Sequence, residues 1–367
     1  MQKGIVLIAF LLIPFYYLSA QEEELIMDWE AYDPPSTLVV PEHIITHAKF
    51  PFIDVHSHHW RMAEQDLDLL MRQMDSMNMQ VVVNLSGRGG ELLKNMMDHV
   101  KASGYEKRIV IFTNIELRSI DEPDWAVETI KQIEYDYKNG AKGLKIYKSQ
   151  GMSNLDKAGN RIRINDPRID PIWAKCGELG IPVLIHSADP KPFWEPHDSL
   201  NERWLELKLR PNRKRGPDNP ASWETIIGEQ HDIFKKHPNT TFIAAHLGWY
   251  ANDLKTLGGL LDAMPNVYVE IGAVIAELGR QPRMANRFFE KYQDRVLFGK
   301  DSYKPEEYPT YFRVLESDDE YFPYYKRYHA FWKMYGLDLP DEILKKLYYK
   351  NALKIIPGLD RSMFPKD

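Results

Sequence analysis

Three histidines fall within four positions of the segment PFIDVHSHHW, residues 51–60. The apolar residues before them predict a β-strand, in which side chains two positions apart share a face. His56 and His58 would then lie about 7 Å apart at Cα, and both imidazoles could bind one cation. Phe52 and Asp54 are predicted to lie on the same face as these histidines. A His-x-His pair alone is not specific, because histidines also pair by chance.

Polar residues also stand at the carboxyl ends of three later predicted strands. His186 ends IPVLIHS, His246 lies near the end of TTFIAAHLG, and Asp301 lies near the end of RVLFGKDSY. Small residues, Ala244 and Gly299, precede two of them on the same face and leave room there. In a barrel of parallel strands all carboxyl ends meet at one rim, which is where barrel active sites lie. Together with the His-x-His pair, five residues would therefore converge on one spot.

Short apolar runs alternate with amphipathic helical stretches from residue 51 onward. The predicted strands cover 52–58, 80–86, 108–116, 141–149, 181–187, 240–248, 266–272 and 295–303. The predicted helices cover about 64–79, 90–103, 125–140, 168–180, 222–237, 252–263, 282–292 and 341–355. This alternation predicts a single-domain α/β fold, the (β/α)8 TIM barrel. An open doubly wound sheet is the alternative, but no glycine-rich phosphate loop follows the first strand.

The motifs DVHSH, LIHS, AAHLG and LFGKDS, in this order, resemble those of the amidohydrolase superfamily. The resemblance is to its amidohydrolase-related (amidohydrolase 2) branch of metal-dependent barrels. KNALKII near the end also resembles the closing helix of that family, so that the resemblance covers residues 51 to about 357. It implies that four residues bind one divalent metal, most often Zn²⁺: His56, His58, His186 and Asp301.

The same resemblance implies the catalytic roles. A divalent metal with an open coordination position lowers the pKa of a bound water from 15.7 towards about 7. Asp301 would take the proton of that water as a general base. His246 would orient the water or stabilise the developing oxyanion.

Lys145, on the predicted fourth strand, has two interpretations under this resemblance. Binuclear members of the superfamily use a carboxylated lysine on that strand. The alternative, which we favour because this branch mostly uses one metal, is a lysine that contacts a carboxylate of the substrate or of a neighbouring residue. Lys145 is therefore a candidate for substrate binding.

Three further residues are candidates for substrate binding. Trp194 and Arg203 belong to the long excursion 188–222 after the fifth strand, where barrel loops form the substrate pocket. The alternative is a capping loop with packed aromatics and solvated cations. Glu270 stands near the end of the seventh strand, where lining the pocket and structural hydrogen bonding are both open.

The amino-terminal residues predict export. Lys3, the apolar run 4–18 and Ser19-Ala20 before an acidic stretch are typical of a secretory signal peptide with cleavage near Ala20. An uncleaved anchor is the alternative, and no later segment is long and apolar enough to span a membrane. The mature chain is thus expected in the periplasm or outside the cell. Cys176 is the single cysteine, so no intramolecular disulfide can form.

The sequence therefore predicts a signal peptide at 1–20, a lead-in segment at 21–50, the barrel at 51–357 and a tail at 358–367. The net charge of −6 argues against a nucleic-acid partner. The predicted function is an exported metal-dependent hydrolase that cleaves a small ester, lactone or amide, with sugar-derived or carboxylate-bearing substrates among the candidates. A metal-dependent non-oxidative decarboxylase is the alternative. A non-catalytic binding protein is less expected because every metal-site position is filled, and a homo-oligomer is left open.

Overall fold

The computed structural model describes residues 27–366, so the predicted signal peptide lies outside the described residues. The chain divides into two compact units, Met1–Ser36 and Thr37–Asp367. In the described part of the first unit, Trp29–Ala31 forms one 3-10 turn. Within residues 27–366, no helix combines the length and the apolar composition that crossing a bilayer requires.

Eight short parallel strands form the centre of the second unit. They are β1 Phe52–Ser57, β2 Met79–Asn84, β3 Ile109–Ile111 with Thr113–Asn114, β4 Leu144–Ile146, β5 Val183–Ile185, β6 Phe242–Ala244, β7 Val267–Glu270 and β8 Val296–Leu297. Each pairs with the next in sequence order. The backbone N–H of Val55 donates to the carbonyl of Phe298 at 3.0 Å, and the N–H of Asp301 donates to the carbonyl of His56 at 2.7 Å. These bonds join β8 to β1, and the predicted (β/α)8 barrel is confirmed.

One helix follows each strand. These helices are α1 Leu67–Ser76, α2 Glu91–Ala102, α3 Trp125–Lys138, α4 Asp170–Leu179, α5 Trp223–Lys236, α6 Leu254–Ala263, α7 Pro282–Tyr292 and α8 Tyr308–Glu316. A last helix, α9, runs through Asp341–Lys345, a π-helical turn Lys346–Lys350 and Asn351–Ile355. Short loop helices cover Ser149–Met152, Trp204–Leu209 and Ile275–Gly279, and a hairpin pairs Phe322–Pro323 with Lys333–Met334. Helices α1 to α7 and α9 correspond to predicted helices, whereas α8, the short loop helices and the hairpin were not predicted.

Helix α1 illustrates why these segments form. Its buried residues follow helical spacing: Leu67, Leu70, Met71 and Met74. The Asp66 side chain accepts the backbone N–H of Leu69 at 2.9 Å, which satisfies one of the unpaired donors at the helix start. The apolar face packs on the strands, and the capped end fixes where the helix begins.

The side-chain alternation predicted for β1 is wrong at the start of the strand. The Phe52 ring lies 4.8 Å from Phe298 and 5.4 Å from Phe312 of α8, so it faces the helices. Asp54 also bonds α8, through the hydroxyl of Tyr308 at 2.5 Å. His56, by contrast, faces the barrel interior. The cause is an irregular register, because the β1–β2 pairing shifts between Phe52 and Ile53 and again after Asp54.

Candidate metal centre

His56 lies inside the barrel, and one of its ring nitrogens has no protein partner. Its side chain is fully buried, and Nδ1 is hydrogen-bonded to Glu270 Oε1 at 2.9 Å. Nε2 is buried without a hydrogen-bond partner among the described residues and lies 3.5 Å from Asp301 Oδ1. Because a carboxylate accepts the proton on Nδ1, Nε2 carries the free lone pair that a metal needs.

His58 approaches the same carboxylate from the mouth of the barrel. Its Nδ1 is 2.7 Å from Ser86 Oγ, and its Nε2 is 3.7 Å from Asp301 Oδ1. The ligand atoms of His56, His58 and Asp301 all lie within 4.8 Å of one another. The structure thus brings together three of the four predicted metal ligands.

The fourth predicted ligand, His186, is oriented by His246. His246 Nδ1 donates to the carbonyl of Gly272 at 2.7 Å, because a carbonyl can only accept. With its proton on Nδ1, His246 presents a lone pair at Nε2, which lies 3.3 Å from His186 Nδ1. His186 is therefore protonated at Nδ1, and its Nε2 is buried with no partner among the described residues. This chain of bonds assigns to His186 the tautomer of a metal ligand.

A left-handed turn aims His246 into the barrel. The φ angles are 59° for His246, 54° for Leu247 and 60° for Gly248, directly after β6. Side chains disfavour this region, so successive non-glycine residues held there are strained. The backbone N–H of His246 donates to Glu270 Oε1 at 2.6 Å and helps hold the turn.

The imidazoles and the carboxylate have the protonation states that metal binding requires. Burial, with the nearby Lys145, lowers the pKa of His56 well below its ordinary value and that of His58 to about 4. Burial and His246 likewise lower the pKa of His186. Burial alone would raise the pKa of Asp301. The surrounding imidazoles and Lys145 together outweigh burial, so the pKa lies well below its ordinary value. At neutral pH the site therefore offers uncharged imidazoles around an ionised carboxylate.

Lys145 is fully buried on β4, and its Nζ has no hydrogen-bond partner among the described residues. Burial lowers its pKa to about 8, although Asp301 and Glu270 act in the opposite direction. The charges of Asp301 and Glu270 act on this buried lysine, and its position is compatible with both interpretations from the sequence. The choice between them stays a prediction about the number of metals.

Asp54 hydrogen-bonds the backbone where the pairing between β1 and β8 is irregular. Its Oδ1 accepts the backbone N–H groups of His56 at 2.9 Å and of Lys300 at 3.2 Å. These two donors lie next to the irregular pairing, so the carboxylate replaces ladder bonds that the strands do not make. Gly299 completes the junction, since a Cβ there would lie 2.3 Å from Glu270 Oε2 and 2.9 Å from His56 Cβ.

Two of the predicted substrate-binding residues have other partners in the structure. Arg203 is buried and pairs with Glu206 at 2.8 Å and with Glu277, and its guanidinium stacks 4.8 Å above Trp332. Glu270 is fully buried behind His56, as described above. A contact of either side chain with substrate would require these bonds to break, so both are better explained as structural supports.

Trp194 also makes structural contacts. Its Nε1 donates to the carbonyl of Ala221 at 2.7 Å, and its half-buried ring packs against a small apolar cluster that includes Trp223. These bonds tie the loop to the start of α5. Contact of Trp194 with substrate stays a prediction.

Aromatic side chains above the site form a rim that was not predicted from the sequence. The exposed Trp60 ring lies 5.7 Å from His58, nearly parallel to it, and 5.5 Å from Tyr147. The guanidinium of Arg88 lies 4.8 Å above the same Trp60 ring. Trp60 directly follows His59 in the sequence, and this proximity to the candidate ligands was the signal that could have identified it.

The described residues fit a divalent metal. Two buried imidazole nitrogens, His56 Nε2 and His186 Nε2, have no protein partner, although buried polar atoms are almost always satisfied. Three histidines and one carboxylate are a donor set typical of zinc and related metals. Glu270 would be the outer partner that orients a ligating histidine.

Comparisons with known proteins agree with this fold. A model of the amidohydrolase family matches residues 117–357, about two thirds of the chain. The matched span includes His186, His246 and Asp301, whereas the His-x-His pair precedes it. No curated protein sequence matches the chain.

Solved structures with a similar fold include an uncharacterized TIM-barrel protein from Bordetella bronchiseptica, which is 15% identical over 83% of this chain and 97% of that chain, with a TM-score of 0.51. A putative amidohydrolase from Staphylococcus aureus is 15% identical over 83% of this chain and 99% of that chain, with a TM-score of 0.50. At this level of identity the two structures speak for the fold alone.

Proposed function

Because this chain belongs to the amidohydrolase family, whose members depend on a metal, we propose that it is a metal-dependent hydrolase. Four side chains would hold one divalent cation, most simply Zn²⁺: His56, His58, His186 and Asp301. The proposed substrates are small esters, lactones or amides.

One observation carries this proposal. His56 Nε2 is buried without a protein partner among the described residues and lies 3.5 Å from the ionised Asp301. His186 Nε2 is likewise buried without such a partner, and bonds to Glu270 and His246 fix the tautomers that leave these two nitrogens bare. A purely structural cluster of buried histidines would be expected to satisfy its own nitrogens. A cation is the partner that suits several bare lone pairs and a negative charge at once.

The residues of the chain would divide the work. A divalent metal held there supplies Lewis acidity, which activates water and polarises a carbonyl oxygen. Asp301 uses Oδ1 towards the imidazoles, and its Oδ2 has no hydrogen bond among the described residues, so Oδ2 can accept a proton from the attacking water. A third of the Asp301 side chain is exposed, which gives substrate access to it.

His246 could either position His186 or act directly on the developing oxyanion. As it stands, both of its ring nitrogens are engaged, one by Gly272 and one by His186. In this arrangement it positions His186. Direct action on the developing oxyanion, which the resemblance implies, would require the contact with His186 to open.

Labelled water tests the hydrolase proposal. Zinc-loaded protein is incubated in H₂¹⁸O with a panel of lactones, esters, amides and aromatic acids. Hydrolysis places the label in the new carboxylate of the product. Release of carbon dioxide without label in the organic product would replace the proposal with the metal-dependent decarboxylase.

We also propose export, from Lys3, the apolar run 4–18 and the Ser19-Ala20 site. Amino-terminal sequencing of the native protein is expected to find a start near Gln21. An intact Met1 on cytoplasmic material would contradict this.

A further inference from the structure

Arg88 stands at the carboxyl end of β2 in a strained backbone conformation. Its φ is 60°, in the left-handed region that side chains disfavour. Its N–H donates to Asn114 Oδ1 at 2.8 Å, and its carbonyl accepts the N–H of Asn114 at 2.6 Å. The neighbouring strand thus clamps both polar groups of this peptide, and strain held in this way often marks a functional position.

The glycines on either side of Arg88 allow the loop to pack closely against neighbouring residues. A Cβ at Gly87 would lie 2.2 Å from the carbonyl oxygen of Phe112. A Cβ at Gly89 would lie 2.1 Å from the side chain of Gln132. The loop therefore packs directly on β3 and holds the position of Arg88 relative to the barrel rim.

Within the described part of the chain, the Arg88 guanidinium has no anionic partner. Among residues 27–366 no carboxylate lies within 4.0 Å of it, and the side chain is exposed. It lies 4.8 Å above the Trp60 ring, and that ring lies 5.7 Å from the His58 ring at an interplanar angle of 9°. A free cation is thus held one aromatic ring away from a candidate metal ligand.

A cavity of about 430 Å³ adjoins this cation. Arg88, Tyr147, Glu116 and Arg118 are among its lining residues. Glu116 and Arg118 approach each other at 3.9 Å, so that their charges largely offset one another and the charge of Arg88 remains. The volume falls in the range of small-molecule pockets, and the residual charge favours an anion.

We propose that Arg88 binds the carboxylate of the substrate, while a planar part of the substrate packs on Tyr147, which lines the same cavity. The planar guanidinium can donate two parallel hydrogen bonds to a carboxylate, a geometry that lysine cannot reproduce. The inference rests on the proposed function only in taking the candidate metal centre as the place of reaction. It narrows the substrate class to esters, lactones or amides that also carry a free carboxylate.

Calorimetric titration of zinc-loaded protein with benzoate and with benzamide, its neutral counterpart, tests the proposal. The wild type is expected to prefer benzoate. Arg88→Gln should reduce benzoate affinity by about tenfold or more and leave benzamide affinity unchanged, since one charge-assisted pair is lost. Arg88→Lys keeps the charge and should restore part of the preference.

The double variant Glu116→Gln, Arg118→Gln is the matched control, because it removes the two charges of the same cavity that offset one another and keeps the charge of Arg88, so that it should keep the preference. Each variant is checked for zinc content and for its circular dichroism spectrum. A preference for benzoate that survives Arg88→Gln, or that the double variant Glu116→Gln, Arg118→Gln abolishes equally, overturns the proposal.

The binding result and the labelled-water result are separable. If the preference for benzoate depends on Arg88 while no member of the panel is hydrolysed, the carboxylate subsite stands and the hydrolase proposal fails. If labelled product forms while Arg88→Gln leaves the preference intact, the hydrolase proposal stands and the subsite is wrong.

Discussion

Glu270 Oε1 and His56 Nδ1 are joined by a hydrogen bond of 2.9 Å in the barrel interior, where neither side chain is exposed. The same carboxylate accepts the backbone N–H of His246 and that of Gly272, each at 2.6 Å. Burial raises the pKa of Glu270, and so does the charge of Asp301, while His246 and the backbone N–H donors act in the opposite direction. The carboxylate is thus fixed by three donors, and in turn it fixes His56 Nε2 towards Asp301.

Glu270→Gln should therefore weaken metal binding. A glutamine offers one accepting oxygen and one N–H₂ group, so one of the three donors would face another donor. We expect zinc affinity to fall about 10- to 100-fold, the usual effect of losing an outer partner of a ligating histidine. Competition with a chromogenic zinc chelator measures it.

Glu229→Gln is the control for that variant, because Glu229 is also buried but pairs with Arg161 at 2.8 Å instead of a histidine. Equal losses of zinc affinity in the two variants would show that the effect is a general consequence of removing a buried charge.

Saturation with zinc should raise the thermal stability of the wild type. A ligand present at 100 times its Kd stabilises the folded state by about 2.7 kcal/mol, which shifts Tm by several degrees in a chain of this size. The double variant His56→Ala, His58→Ala should show no shift. His47→Ala, which removes an exposed histidine, should shift like the wild type. Differential scanning calorimetry with and without chelator gives the comparison.

Two variants separate the roles at the carboxylate and at His246. Asp301→Asn should abolish turnover while the protein stays folded, since the proton acceptor is lost. If His246 acts on the oxyanion, His246→Asn should retain zinc and slow turnover by roughly 10²-fold or more. If it positions His186, zinc affinity should fall as well. Zinc content and kcat measured on the same samples distinguish the two.

His231 should make the protein less stable in acid. Its ring stacks 6.0 Å from Tyr250, and burial, assisted by Lys235, lowers its pKa to about 4. The unfolded chain, with a pKa near 6.5, takes up the proton first as the pH falls. Stability from this group is thus complete above about pH 6.5 and declines towards pH 4.

Between pH 7 and pH 4.5 the protonation of His231 should cost on the order of 2 kcal/mol of the free energy of unfolding, and His231→Gln should remove this loss. Urea denaturation at pH 7 and pH 4.5, in the presence of chelator, gives the free energies of unfolding. His47→Gln should behave as the wild type, and a His231→Gln variant with an unchanged pH dependence would contradict the assignment.

The barrel could be predicted because each strand is short and apolar and is followed by an amphipathic helix, which are local signals. The convergence of the candidate ligands could be predicted because parallel strands end at one rim. Helix α8 was missed although its sequence carries a signal. Tyr308, Tyr311, Phe312 and Leu315 are buried at helical spacing, and a proline stands in its first turn. The irregular pairing at Asp54 could not be predicted, since it depends on Lys300, which follows β8 and is far away in the sequence.

The loop residues show the same limit. Arg203 stood in a basic, aromatic segment that could serve a pocket equally well as a packed core. Its partner Glu277 comes from another loop, and no local pattern connects the two. Arg88 carried no motif at all, because its significance depends on a backbone angle and on the absence of a partner among the described residues.

Gly299 has a consequence for redesign of this scaffold. Any side chain at this position would meet Glu270 and His56 before it reached the cavity, so a saturation library at residue 299 should return glycine alone among variants that retain metal. Directed evolution of substrate range would have to work through the loops above the rim, where Trp60 and Arg88 are exposed. The residues around Gly299 would stay constant while the loop residues above the rim varied.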